Sequence, residues 1–172
     1  MQEFSGRTAV ITGGASGIGL GMARAFAGRG MQLVLADLDS VLLEKAEQEF
    51  LAAGVAVVTQ ACDVSKLEEI ERLAALTLER FGGVHVVCSN AGVGIPTSAR
   101  NMKLADWEWI INVDLWGPIY TVKTFLPLLE EQGVGHINAT SSMAGLISSQ
   151  MMGAYNVAKH GVVALMAATE RE

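Results

Sequence analysis

The chain has 172 residues, of which 51% are hydrophobic and 17% charged, a composition typical of one globular domain with a substantial core. Its net charge of −6, with acidic and basic residues interspersed, argues against a nucleic-acid partner, which needs a basic surface. The amino terminus carries no apolar secretion signal and no apolar run approaches a membrane helix of roughly 20 residues. We therefore expect a cytoplasmic protein with no membrane contact.

Apolar runs alternate with helix-like segments along the chain. We predict five strands, at 8–12, 32–36, 55–60, 84–89 and 135–140. We predict helices at 18–29, 40–53, 65–81, 103–131 and 153–171. The third helix has capping-box spacing from Ser65 and ends at Gly82-Gly83. Strands that are apolar throughout and alternate with helices predict an α/β fold, a doubly wound parallel sheet of the Rossmann type, in one domain spanning 1–172.

The two cysteines, Cys62 and Cys88, are isolated from each other in apolar, strand-like runs. Neither has neighbours with the spacing of zinc ligands, so we expect no metal site. Both residues are therefore predicted to be buried free thiols.

A glycine-rich turn, 12–19, follows the first predicted strand. Gly13 can form the tight turn, Gly17 allows a pyrophosphate to approach the backbone, and Gly19 allows the helix to pack on the strand. Ser16 and Ile18 belong to the same predicted phosphate site, because the start of the helix presents free N–H groups and the positive end of its dipole. A plain flexible turn is the alternative, but the position at the start of a βα series favours a nucleotide site.

Asp37 ends the second predicted strand, 18 residues after Gly19. A carboxylate there can bind both hydroxyls of an adenosine ribose and would repel a 2′-phosphate. The glycine turn holds no Arg or Lys, and Leu38 follows Asp37, so the pattern favours NAD over NADP. The alternative is that Asp37 or Asp39 only caps the next helix.

Tyr155 and Lys159 are four residues apart on the last predicted helix, so they share one face. A neighbouring ammonium favours the phenolate, which makes the pair a candidate proton donor and acceptor. Taken alone, a tyrosine and a lysine at this spacing are a frequent coincidence.

The motifs in their order resemble the short-chain dehydrogenase/reductase family. They are Thr12-Gly-x3-Gly-Ile-Gly19, Asp63-Val64 after the third strand, Asn90-Ala91-Gly92 after the fourth, and Ser142 thirteen residues before Tyr155-x3-Lys159. Several independent motifs in the same order on a matching βα pattern are highly specific. The resemblance implies that Asp63-Val64 lies at the adenine and that Asn90-Ala91-Gly92 lines the middle of the cofactor.

The resemblance also implies an activity, the transfer of a hydride between NAD(H) and an alcohol or ketone. Tyr155 would exchange a proton with the substrate oxygen, and Lys159 would hold the nicotinamide ribose and lower the pKa of Tyr155. Ser142 would hydrogen-bond the substrate oxygen. Ser141 is the alternative for this role, but the thirteen-residue spacing to Tyr155 favours Ser142.

One position of the long helix departs from the family pattern. The family usually has an asparagine three residues before a glycine, and its main-chain carbonyl holds a water in a proton relay. The segment 112–118 places Asp114 there, as the fourth predicted catalytic position. Pro118 has no N–H, so we predict that it leaves the Asp114 carbonyl free and kinks the helix. A simple kink with a capping Asp is the alternative.

The family usually continues beyond Glu172 with two more strands and much of the substrate pocket. We therefore interpret the chain as C-terminally truncated, with segment 135–140 at an apolar sheet edge. The alternative function is a nucleotide-binding or partner-binding module without turnover. An epimerase or dehydratase on the same scaffold is a third interpretation, which the glycine spacing fits less well.

The substrate is predicted to be a small hydrophobic alcohol or carbonyl compound, because the residues expected to flank its pocket are apolar: Val93, Ile95, Met143 and Met152. The resemblance implies a homodimer or homotetramer formed through the long fourth and last helices. Those helices carry Trp107, Trp109, Trp116, Phe125 and the apolar run 161–168. Ordinary core packing of these side chains is the alternative.

Overall fold

Five parallel strands form the central sheet of the protein, seen in a computed structural model that describes residues 3–170. The strands are β1 (Thr8–Thr12), β2 (Gln32–Asp37), β3 (Val57–Ala61), β4 (Val86–Ser89) and β5 (His136–Ala139). Their order across the sheet is β3-β2-β1-β4-β5, and each neighbouring pair is parallel. This confirms the doubly wound α/β fold, with β5 at one edge.

In the described part of the chain, six α-helices connect or follow the strands. They are α1 (Gly17–Ala27), α2 (Ser40–Ala52), α3 (Leu67–Phe81), α4 (Leu104–Ile111), α5 (Gly117–Gln132) and α6 (Gly153–Thr169). A π-helical turn, Asn112–Trp116, joins α4 to α5, so the long helix predicted at 103–131 is interrupted. Residue 171, where the last helix was predicted to end, lies outside the described residues. Within residues 3–170, no helix combines the length and the hydropathy needed to cross a membrane.

Side chains that alternate along the strands fill the two faces of the sheet. One face packs against α1 and α2 through Ile11, Leu33, Leu35, Ala23, Leu43 and Phe50. The other packs against α3 and α5 through Val10, Val34, Val87, Ile70, Leu73 and Phe125. Phe125 is fully buried, so the expectation that it contributes to a subunit interface is wrong. Cys62 and Cys88 are buried free thiols, as predicted.

The start of α3 differs from the prediction. The capping box at Ser65 is wrong, because the helix begins at Leu67 and no side chain caps its first turn. The Ser65 hydroxyl instead donates to the carboxylate of Asp63 at 2.6 Å, and Glu69 accepts the Asp63 N–H at 2.7 Å. The local carboxylates therefore order the β3–α3 loop rather than the helix terminus. Gly82 ends the helix in the left-handed conformation (φ 72°), as predicted.

Candidate active site

A cleft of about 870 Å³ opens where the carboxyl ends of β1 and β4 meet. From β1 the chain adds β2 and β3 on one side of the sheet and then β4 and β5 on the other, so the cleft lies at the point where the strand order reverses. Almost all of the predicted site residues line it: Gly13, Ser16, Gly17, Ile18, Asp37, Leu38, Asp63, Val64, Asn90, Ala91, Gly92, Asp114, Ser142, Tyr155 and Lys159.

Gly19 is the predicted site residue that does not line the cleft. It packs behind the glycine turn, where an added Cβ would overlap the carbonyl oxygen of Gly13 and lie 2.8 Å from Nδ2 of Asn90. Gly13 and Gly17 have φ of 62° and 50°, and a Cβ on Gly17 would meet nothing within 4 Å. Gly19 therefore holds the turn against the sheet, whereas Gly17 keeps its outer side open.

The first turn of α1 is available to an external acceptor. Its N-cap residue, Ser16, makes no side-chain hydrogen bond to the helix. The N–H groups at the start of a helix need acceptors, and with the helix dipole they favour an anion. The sequence prediction of a phosphate-binding turn therefore has a matching local structure.

Asp37 and Asp39 have different partners. Asp39 caps α2, accepting two N–H groups of its first turn at 3.0 Å each. Asp37 accepts the N–H of Ala15 in the glycine turn at 3.1 Å and the N–H of Asp39 at 3.2 Å. The capping role considered for either residue thus belongs to Asp39, while Asp37 joins the end of β2 to the glycine turn beside the exposed Leu38.

Three polar side chains bind the ends of β1, β4 and β5 to one another. The Thr12 hydroxyl accepts the N–H groups of Asn90 and Ala91 at 2.9 and 3.1 Å. The Asn90 amide donates to the Thr12 carbonyl at 3.1 Å, and its oxygen accepts the Thr140 hydroxyl at 3.1 Å. Thr140 has no predicted role, although its position at the end of the strand predicted at 135–140 could have indicated one.

Asp63 lies in the cleft at the end of β3 in an ordered polar loop. Burial acts to raise its pKa, but hydrogen bonds from Ser65 and the charge of Lys66, 3.5 Å away, outweigh burial and hold the pKa below its usual range. The carboxylate is therefore ionised at neutral pH.

The two serines after β5 are distinguished by their hydrogen bonds. The Ser141 hydroxyl donates to the main-chain oxygen of Lys159 at 2.9 Å. The Ser142 hydroxyl accepts the N–H of Ala144 at 3.2 Å, in a short 3-10 turn, Met143–Gly145. Ser141 thus ties the loop to α6, whereas the Ser142 hydroxyl keeps its hydrogen for another acceptor.

Helix α6 brings Tyr155 and Lys159 into the cleft together. The Lys159 ammonium lies 5.5 Å from the centroid of the Tyr155 ring and donates to the Thr140 carbonyl at 3.1 Å. Lys159 is buried, and Tyr155 is half-buried against Ile110 and Ala154. The spacing on one helix face that the sequence predicts therefore places both groups in the same site.

Asp114 faces the same ammonium from the π-helical turn. Its Oδ2 lies 3.1 Å from Nζ of Lys159, and its Oδ1 accepts the Val93 N–H at 2.7 Å. The side chain is fully buried, and Oδ2 has no hydrogen-bonding partner of suitable geometry among the described residues. Burial raises the pKa of Asp114, an effect that the charge of Lys159 and the Val93 N–H only partly offset.

The backbone around Asp114 is distorted differently from the prediction. In the π-helical turn, the Gly117 N–H donates to the carbonyl of Asn112, five residues earlier. Pro118 follows directly as the second residue of α5 and can donate no backbone N–H to the turn before it. The irregularity expected from a proline kink is therefore a π turn with Asp114 at its centre, a feature common at functional sites. The free carbonyl of Asp114 stays a prediction.

The apolar wall of the cleft is only partly the one predicted. Val93 and Met152 line it, but Ile95 packs into a cluster with Ile110, and Met143 is 73% exposed outside the cleft. Three further apolar residues line the cleft, namely Pro96, Val113 and Trp109, of which only Trp109 has a predicted role, at the subunit interface.

The chain is similar to several known dehydrogenases. A crystal structure of a short chain dehydrogenase/reductase from Burkholderia phymatum in complex with NAD is 40% identical and superimposes with a TM-score of 0.96, covering 98% of this chain and 60% of that one. The D-beta-hydroxybutyrate dehydrogenase of Cupriavidus necator is 32% identical over 169 residues, 98% of this chain and 66% of that protein.

A dehydrogenase/reductase of CLA biosynthesis from Lactiplantibacillus plantarum is 31% identical over 170 residues, covering 98% of this chain but 59% of that protein. The chain thus spans about 60% of the length of the first relatives that it matches. A sequence model of the family described as short chain dehydrogenase matches residues 7–172, nearly the entire chain. With its parallel sheet and its cleft at the strand ends, this chain belongs to the short-chain dehydrogenase family.

Proposed function

We propose that this chain carries the cofactor-binding and catalytic part of an NAD-dependent oxidoreductase that interconverts an alcohol and a carbonyl compound. The observation that supports this most strongly is the convergence of Tyr155, Lys159 and Ser142 on the same cleft as the glycine turn and Asp37. The Burkholderia relative, whose structure contains NAD, supports the choice of cofactor.

The residues of the cleft fit a dinucleotide. The open side of Gly17 and the uncapped first turn of α1 suit a pyrophosphate, which needs close approach and N–H donors. Asp37 would hold the adenosine ribose, with Leu38 and Asp63-Val64 at the adenine and Asn90-Ala91-Gly92 along the middle. The carboxylate of Asp37 disfavours a 2′-phosphate, which supports NAD over NADP. When bound, NAD supplies the hydride acceptor or donor for the reaction.

Side chains of this chain transfer the proton and orient the substrate. In alcohol oxidation, Tyr155 accepts the hydroxyl proton, and in carbonyl reduction it returns one to the oxygen. Lys159, held by the Thr140 carbonyl, places its ammonium 5.5 Å from the centroid of the phenol ring. Ser142 donates its hydroxyl hydrogen to the substrate oxygen and so orients it for exchange with Tyr155.

The substrate proposed is a small, largely apolar alcohol or carbonyl compound. Val93, Pro96, Trp109, Val113 and Met152 line the cleft with apolar surface. The similar D-beta-hydroxybutyrate dehydrogenase is named for a small secondary alcohol that also carries a carboxylate, which supports the size and the alcohol group of the proposed substrate but not its apolar character.

Turnover with and without the phenol tests the proposed function. The purified chain is incubated with NAD and a panel of secondary alcohols, and NADH formation is followed by absorbance. Tyr155→Phe should lower kcat by about 100-fold or more. Tyr120→Phe is the matched control, because Tyr120 lies on α5 against Trp116 and should leave the rate within about twofold.

Two results would contradict the proposal. Turnover that survives in Tyr155→Phe would exclude Tyr155 as the acid/base. NADH binding without turnover of any alcohol by the 172-residue chain would favour the second candidate function, a nucleotide-binding module. The share of the relatives that this chain spans, about 60%, is the observation behind that candidate.

We further propose that the protein forms a homodimer or homotetramer through its long interrupted helix and α6. Trp109 and Trp116 are 45% and 44% exposed, and Val157 on α6 is 52% exposed. Trp107, in contrast, packs against the internal cluster around Ile110. Light scattering should give at least twice the mass of one chain, and a monomer at high concentration would refute this assembly.

A further inference from the structure

A buried ion pair lies directly beside the proposed acid/base. Lys159 is the only cation among the described residues that line the cleft. Asp114, with no exposed surface, is its ionic partner at 3.1 Å. Because both groups are removed from water, the screening that weakens surface ion pairs is largely absent here.

The other charged groups in the site are few. The titratable side chains that line the cleft are Asp37, Cys62, Asp63, Asp114, Tyr155 and Lys159. They come from the ends of β2 and β3, from the π-helical turn and from α6, and the described parts of α4 and α5 contribute none. Of the carboxylates, Asp114 is the one that forms an ion pair with Lys159.

We propose that Asp114 is a positioning residue, whose carboxylate holds the Lys159 ammonium and offsets the positive charge that this ammonium places beside Tyr155. The contacts restrict Lys159 from two sides, since the Thr140 carbonyl and Asp114 Oδ2 both lie 3.1 Å from Nζ. Oδ1 is fixed in turn by the Val93 N–H at 2.7 Å. This inference deepens the proposed function, because it concerns the acid/base of the same site.

The Asp114 carboxylate changes the electrostatic environment of the Tyr155 phenol. A lone ammonium 5.5 Å from the phenol ring favours the phenolate, whereas an ammonium paired with a carboxylate is close to neutral overall. The Asp114 carboxylate therefore offsets most of the positive charge that Lys159 would otherwise present to the Tyr155 phenol. Asp114→Asn preserves the size of the side chain and an oxygen for the Val93 N–H, but it removes the charge.

The direct test is the titration of Tyr155 by phenolate absorbance. The chain has two tyrosines, so Tyr120→Phe leaves Tyr155 as the single phenol. This variant and its Asp114→Asn and Asp114→Ser derivatives are titrated from neutral to alkaline pH, with circular dichroism at each pH to confirm that the fold is intact. Glu71→Gln removes one negative charge from the exposed surface of α3 and serves as the matched control.

We expect the midpoint of the Tyr155 titration to fall by about one pH unit in Asp114→Asn and in Asp114→Ser. It should move by less than about 0.2 in Glu71→Gln, since that charge is exposed and screened. A shift below about 0.3 in the folded Asp114 variants, or a shift to higher pH, would overturn the proposal.

Loss of the folded state in both uncharged variants would also overturn it, because Asp114 would then act as a structural residue. The titration needs neither cofactor nor turnover. Its failure is therefore distinguishable from failure of the proposed oxidoreductase function, which NADH formation tests separately.

Discussion

Removal of Lys159 should destabilise the protein mainly through the charge that it leaves behind. In Lys159→Met the flexible methionine fills similar space, but Asp114 becomes a carboxylate with no exposed surface and no cation beside it. Breaking a buried ion pair in this way costs about 3–5 kcal/mol. Neutralising both partners, in Asp114→Asn with Lys159→Met, should return the free energy of unfolding to within about 1 kcal/mol of the wild type, because no unpaired charge remains.

The pH dependence of this loss follows from the raised pKa of Asp114. Burial raises that pKa already in the wild type, so the folded state takes up a proton more readily than the unfolded chain. Without Lys159 the pKa of Asp114 should rise further. The deficit in Lys159→Met should therefore be largest near pH 7 and should shrink towards about pH 4, the ordinary pKa of a carboxyl, because there the unfolded chain takes up the same proton.

Urea unfolding followed by tryptophan fluorescence measures this directly, because all three tryptophans lie in the α4 and π-turn region next to Asp114. The wild type, the single variants and the double variant are compared at both pH values, as a double-mutant cycle. Equal destabilisation of Lys159→Met and the double variant, with no pH dependence, would refute the reasoning. The loss would then come from packing and not from an unpaired charge.

Further variants test the framework of the site. Gly19→Ala should unfold the glycine turn, because the new Cβ would overlap the Gly13 carbonyl oxygen. The control Gly21→Ala lies in the same helix, where an added Cβ meets nothing within 4 Å, and it should stabilise the protein by about 0.5–1 kcal/mol. Thermal melting distinguishes the two outcomes. Ser141→Ala should lose about 1–3 kcal/mol in urea unfolding, because it removes the hydrogen bond to the main-chain oxygen of α6. Ser142→Ala should instead keep a near-normal free energy of unfolding but show impaired turnover. Equal losses of stability in the two serine variants would contradict this distinction.

Much of the fold follows from the sequence, because its βα units carry strong local signals. The apolar strands, the glycine turn and Gly82 at the end of α3 each depend on neighbouring residues alone, and each is found where predicted. The π-helical interruption of the helix predicted at 103–131 is one exception, and the start of α3 is another. There the spacing of Ser65 indicates a helix cap, but the Ser65 hydroxyl donates to the Asp63 carboxylate instead. The spacing of residues does not predict which of several nearby acceptors a hydroxyl will bind.

The candidate site, like the fold, could be predicted only in part from the sequence. The motif residues line one cleft because parallel strands bring their carboxyl ends together, which the alternating pattern predicts. The partners of Asp114 and Thr140 depend on long-range packing of α6 against the strand ends. A π turn cannot be deduced from Pro118 alone, since a missing N–H predicts an interrupted hydrogen bond but not the form that the backbone takes around it.

The central claim, that the cleft binds NAD through Asp37, is tested most directly by fluorescence titration of the purified chain with NADH and NADPH. Asp37→Asn is compared with Asp39→Asn, which removes the same charge two residues away and keeps a good helix cap. We predict saturable NADH binding by the wild type, weaker binding of NADPH, and a loss of about tenfold in NADH affinity in Asp37→Asn alone. Absence of binding to either cofactor, or equal losses in both variants, would contradict the account.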